Sequence, residues 1–200
     1  MIDTFLGLVR PGDVVWDVGA NFGFYSILAA AAVGPTGRVV SFDPHPLCLA
    51  DVRANAELNG FRWLQEVGVA LGAVTSEMRL AGTVAGTDGT HRVVPLDSAA
   101  AGPEFTVSVV RGDDWARSHP DLKSTVLKLD VEGAELDVLA GLTDTLKDAG
   151  CRAVIAEIHF AVLHNTGRDA APQEIVRLLR SAGFRRIKWV DASHLAATRE

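Results

Sequence analysis

The chain has 200 residues, 48% of them hydrophobic and 22% charged, which is the composition of a chain that folds around a core and excludes a disordered tail. Its 25 acidic and 19 basic residues leave a formal charge of -6, a field that repels phosphate backbones and speaks against nucleic acid as a partner. Strand and helix signals then alternate along the chain, which predicts an α/β fold with a mostly parallel sheet and helices on both faces. Val14–Val18 reads as a buried strand after the Pro11-Gly12 turn. A helix over 22–32 stops at Gly34-Pro35, and a second strand covers 38–42. A helix over 47–58 closes at Asn59-Gly60, and a third strand over 63–71 is interrupted by Gln65, Glu66 and Gly68.

Residues 72–104 break the rhythm. Glycines 82, 86, 89 and 102 scatter without a period, so irregular structure is expected, with edge strands near Met78 and Val93. Order returns with an extended stretch over 106–110, a short helix over 113–117 and a strongly apolar strand over 125–131. A helix over 134–146 follows, with Val138, Leu139, Leu142 and Leu146 on one face. The last elements are a strand over 153–158, a helix over 172–182 that Gly183 stops, and a strand over 186–190. No linker or repeat interrupts them, and one domain over 1–200 is expected. Its first strand starts so early that an N-terminal helix or cap is expected to lie outside this sequence. No apolar run approaches the ~20 residues of a membrane span, and no signal-peptide pattern opens the chain, so no membrane association is expected. Cys48 and Cys151 form no ligand pattern and read as reduced thiols of a cytoplasmic protein.

In an open α/β sheet, ligands bind beyond the carboxyl ends of the strands. After the first strand stands the loop Asp17-Val18-Gly19-Ala20-Asn21-Phe22-Gly23, whose glycines let the backbone turn tightly against a ligand. It is not a dinucleotide fingerprint, and Asp17 before it suits a ligand that carries positive charge. Asp43, at the end of the second strand, is placed to accept hydrogen bonds from both hydroxyls of a ribose, or else to cap the next helix. Together these point to an adenosine ligand with a cationic tail, which S-adenosylmethionine satisfies. The fourth strand carries Lys128, Asp130 and Glu132 on one side by alternation, so a Lys–Asp or Lys–Glu pair is expected. Glu157 and His159 end the next strand at the same rim.

Three blocks, Asp-Val-Gly-Ala-Asn-x-Gly from Asp17, Phe42-Asp43-Pro44, and Lys-Leu-Asp-Val-Glu-Gly-Ala-Glu from Lys128, resemble the FkbM-type methyltransferases over roughly 13–190. The resemblance implies the class I, Rossmann-like methyltransferase fold and S-adenosylmethionine as cofactor. It further implies methyl transfer to a hydroxyl of a small molecule, such as a sugar, polyketide or other natural product. By the same resemblance Asp17, Gly19, Asn21, Gly23 and Asp43, with Ala20 in the same loop, contact the cofactor. The chain departs from the family at Arg111-Gly112, where a Thr-Leu pair is usual. For the reaction itself, His159 is expected to be the general base, oriented by Glu157 or Asp130; the competing assignment makes Asp130 the base and His159 a donor. No metal is expected, because histidine is a poor Mg²⁺ ligand and no third carboxylate joins Asp130 and Glu157. Two readings stand against this one. A nucleic-acid N-methyltransferase would need a Pro-Pro-aromatic block where this chain has Val131-Glu132-Gly133, and a non-catalytic cofactor-binding regulator of the same fold would need only the pocket.

Overall fold

The computed structural model describes residues 1–81, 92–96 and 105–200. A seven-stranded sheet forms its centre. Five strands run parallel in the order β9 (Ala153–Glu157), β8 (Val126–Leu129), β1 (Val14–Val18), β2 (Arg38–Phe42), β3 (Leu64–Val67). Beyond β9, β11 (His194–Thr198) and then β10 (Arg186–Trp189) add antiparallel. The expected α/β architecture is therefore present.

The central strands are buried on both sides, and alternation divides their side chains between two cores. Trp16, Val18, Phe42, Leu127 and Leu129 pack with α5 (Glu135–Ala140) and α8 (Ala171–Ser181). Val15, Val39, Val126 and Ile155 pack with α1 (Ile2–Leu8), α2 (Phe24–Val33) and α3 (Pro46–Asn59). Trp16, Phe42 and Trp115 meet with ring centroids 4.9–5.0 Å apart, the large apolar surface that anchors the first core.

The segment after β3 forms a second sheet in the order β4 (Ala70–Gly72), β7 (Phe105–Arg111), β5 (Ser76–Ala81), β6 (Arg92–Val94). The single strand expected over 63–71 is thus two strands in two sheets. Its interruption at Gly68 is where the chain leaves the central sheet. Strands do form around Met78 and Val93, whereas the irregular structure expected over 82–91 and 97–104 lies outside the described residues. The helix expected over 134–146 breaks into α5 and α6 (Thr143–Lys147). The cause is Gly141, where a Cβ would stand 1.9 Å from the carbonyl oxygen of Gly72, so helix and second sheet touch backbone to backbone. The start of α6 is then held from outside: the buried carboxylate of Asp113, in α4 (Gly112–Ser118), accepts from the N–H groups of Asp144 and Thr145. Arg111 pairs with that same carboxylate at 2.7 Å, so the residue that departs from the family's Thr-Leu pattern has a structural task here. Helices α1 and α7 (Phe160–Asn165) and strand β11 had no counterpart in the sequence reading, since they are short or carry little periodicity.

Candidate active site

Between the carboxyl ends of β1, β2, β8 and β9 and the second sheet lies a cleft of about 750 Å³. Gly19, Asn21, Asp43, Asp130, Glu157 and His159 all line it, so six of the nine residues expected to contact the cofactor or carry the reaction meet there. Met78, Val93 and Pro95 of the second sheet and its β6 flank face them as an apolar wall.

At the β1–β2 end, the loop after β1 turns through Gly19 at φ +77°. A Cβ at Gly19 would stand 1.8 Å from the carbonyl oxygen of Asp130, so glycine is required for the crossing of β1 and β8 ends as much as for any ligand. Asn21 sits at φ +49°, and its N–H donates to Asp43 Oδ2 at 2.9 Å; the N–H of His45 donates to Oδ1 at 2.8 Å. Burial raises the pKa of Asp43, and the two amide donors work against that rise. The carboxylate is thus fixed in direction with lone pairs left over, and it steadies His45, whose own side chain caps α3 by accepting from the N–H of Leu47.

Three expected cofactor contacts stand behind this surface. Asp17 has 0% exposure, and its Oδ2 accepts from Ser26 at 2.6 Å while its Oδ1 lies 3.0 Å from Lys128 Nζ. Asp17 and Lys128 are register partners on β1 and β8, which puts their side chains on one face. The expected Lys–Asp pair therefore forms chiefly with Asp17, with Asp130 Oδ2 at 3.6 Å, and no Lys–Glu pair forms with Glu132. Burial opposes the ammonium of Lys128, but the carboxylates of Asp17 and Asp130 overcome it and hold its pKa above the ordinary lysine value. Lys128 also donates to the carbonyl of Gly19 at 3.1 Å, tying β8 to the loop. Ala20 is buried in the second core, and Gly23, at φ +87°, precedes α2 against Val52. These residues shape the loop from beneath.

At the β8–β9 end, carboxylates gather around one imidazole. His159 Nδ1 lies 2.7 Å from Glu135 Oε1, which also accepts from the N–H of Gly133 at 2.9 Å. His159 Nε2 lies 3.5 Å from Glu132 and 3.6 Å from Asp130. Glu132 reaches this position because it adopts φ +51°, a left-handed conformation uncommon for a side chain of its kind. Burial works against a charged His159, yet Glu132 and Glu135 outweigh it and push its pKa up to about 10. The two glutamates thus favour the charged form of the ring. Glu157 does not orient it: its carboxylate lies 3.2 Å from His194 Nε2 on the neighbouring β11. The group that holds His159 is Glu135, fully buried at the start of α5, which the sequence displayed only as the last acid of its motif. Arg168, which also lines the cleft, was missed altogether; it donates to Asp137 at 2.8 Å and to the Gly133 carbonyl at 3.2 Å.

Residues 17–186 match the methyltransferase FkbM domain family. The chain is 28% identical over 182 residues to the hexuronic acid methyltransferase AglP of Haloferax volcanii, covering 91% of this chain and 67% of that protein. It is 32% identical over 201 residues to the 31-O-demethyl-FK506 methyltransferase FkbM of Streptomyces tacrolimicus, covering 88% and 74%. In fold it is similar to the crystal structure of methyltransferase FkbM from Methylobacillus flagellatus, with a TM-score of 0.62 at 16% identity, over 99% of this chain and 50% of that one. The chain thus spans half the length of that structure.

Proposed function

The chain belongs to the FkbM family of S-adenosylmethionine-dependent methyltransferases, and on that premise we propose that it methylates a hydroxyl of a small molecule. The observation that supports this reading is the division of one cleft into two ends. A glycine loop and a fixed carboxylate stand at one end, and a proton-handling cluster at the other. Gly19, Asn21 and Asp43 would hold the cofactor, Asp43 through its ribose. When bound, the cofactor supplies an electrophilic methyl on a sulfonium. The residues of the chain align the acceptor oxygen with that methyl and exclude water, the main requirement of an in-line displacement.

The acceptor hydroxyl must also lose its proton as the new C–O bond forms. His159 was the expected base, but Glu135 on Nδ1 and Glu132 beside Nε2 favour its charged form, which has no lone pair to offer. Asp130, the more open of the two at the cleft, takes the proton in this reading, and His159 steers the acceptor oxygen through its Nε2–H. AglP and the Streptomyces enzyme are named for small-molecule acceptors, which favours the same class here. The charge of -6 weighs against a nucleic-acid acceptor. No helix among the described residues is long and apolar enough to cross a membrane. Cys48 and Cys151 are both buried and form no disulfide, which fits the cytoplasm. In this reading residues 1–200 act as one methyltransferase domain.

The experiment is calorimetric titration with S-adenosylhomocysteine, then a screen of glycosides, uronates and polyketides with isotopically labelled methyl donor. An O-methyl product located by NMR is the expected result. Label appearing only in RNA, or donor binding without transfer to any acceptor, would reject the reading.

A further inference from the structure

We propose that Asp130, Glu132 and His159 hold one divalent cation at the acceptor end of the cleft. The inference deepens the reading above and rests on it for the ion's role, but not for its binding: the ion displaces the Nε2 proton of His159 and takes over the steering of the acceptor oxygen, and Asp130 keeps its second oxygen for the acceptor's proton. One ligand atom from each residue lies within 4.8 Å of the others, and the two spacings from His159 Nε2 are 3.5 and 3.6 Å. An ion bonded at about 2.1 Å to two ligands at a tetrahedral angle keeps them ~3.4 Å apart, so the set closes on a first-row ion with little movement. The third carboxylate that the sequence reading did not find is Glu132.

A second feature points to the same occupant. Metal-bound imidazoles usually give their other nitrogen to a carboxylate that fixes the ring, and Glu135 stands in that position on Nδ1. Glu135 is fully buried, and its Oε2 has no hydrogen-bond partner among the described residues. A buried carboxylate half satisfied at the back of a cluster is costly unless positive charge stands in front. Four carboxylates, Asp17, Asp130, Glu132 and Glu135, share two cationic partners among the described residues, Lys128 and His159, which leaves a deficit that a divalent ion fills. One nitrogen and two oxygens suit Mn²⁺ or Zn²⁺ better than Mg²⁺. Three protein ligands leave positions open toward the cleft, where the acceptor oxygen can bind and become more acidic.

The test is titration of chelator-stripped protein with Mn²⁺ alone, following loss of the free-ion electron paramagnetic resonance signal. One saturable equivalent per chain is expected, and it should persist with saturating S-adenosylhomocysteine. Glu132→Gln and His159→Ala should each weaken binding at least tenfold, and Glu135→Gln about 10- to 100-fold. Melting curves keep the result interpretable: at equal Mn²⁺ the melting temperature of wild type should rise clearly more than that of any folded variant. No saturable binding to wild type, binding unchanged in Glu132→Gln, or exclusion of Mn²⁺ by S-adenosylhomocysteine would overturn the site. Full methyl transfer after exhaustive chelation would overturn the ion's role. A chain that binds Mn²⁺ through these residues yet methylates no hydroxyl would sink the proposed function and leave the site standing.

Discussion

The two ends of the cleft satisfy their carboxylates in opposite ways. Asp43 is held by main-chain amides of Asn21 and His45, donors that cannot titrate or swing away. Asp130, Glu132 and Glu135 instead share one side-chain imidazole that can exchange protons, with the Gly133 amide on Glu135 and Lys128 near Asp130 as further partners. A carboxylate fixed by backbone suits a binding contact that must be the same in every catalytic cycle. A carboxylate–imidazole cluster suits a place where charge changes during the reaction, since a proton or a cation alters it without moving the chain. Binding thus falls to the β1–β2 end and chemistry to the β8–β9 end, a division that four substitutions test.

The largest effect belongs to the layer beneath both ends. Lys128→Met strands the fully buried Asp17, and breaking a buried pair costs about 3–5 kcal/mol, read as a drop in unfolding free energy in urea. Adding Asp17→Asn to that variant should recover part of the loss, and a double variant no better than the single would contradict the pairing. Asp130→Asn should slow methyl transfer by roughly 10²- to 10⁴-fold with cofactor affinity nearly intact, since it removes the proton acceptor and no part of the loop. Turnover close to wild type would move the role elsewhere in the cluster. Asp43→Ala should do the reverse, weakening S-adenosylhomocysteine binding about 10- to 100-fold in calorimetry through lost charge-assisted hydrogen bonds. An unchanged dissociation constant would remove Asp43 from the cofactor's contacts. The smallest effect is expected of Glu157→Gln. Glu157 pairs with His194 and not with His159, and a partly exposed pair is worth roughly 1 kcal/mol or less. Steady-state turnover should fall less than about tenfold; a loss as deep as that of Asp130→Asn would restore Glu157 to the chemistry.

What the sequence determined by itself is what repeats locally or stands at strand ends. The apolar runs of β1, β2, β8 and β9 announced a buried parallel sheet, and the residues just after them lie at its carboxyl rim because the parallel direction puts every such end on one side. The motifs at Asp17, Asp43 and Lys128 were legible for the same reason, as were the family and its cofactor. Tertiary structure alone decided which member of each acidic motif faces the cleft. Asp17 turns beneath it because register pairs it with Lys128, and Glu132 turns toward His159 through one left-handed residue that breaks the alternation assumed for the strand. It also decided that Glu135, not Glu157, holds the imidazole, since β11 inserts beside β9 and brings His194 to Glu157. Contacts between residues more than 20 apart depend on strand order and helix starts, and no local spacing encodes them.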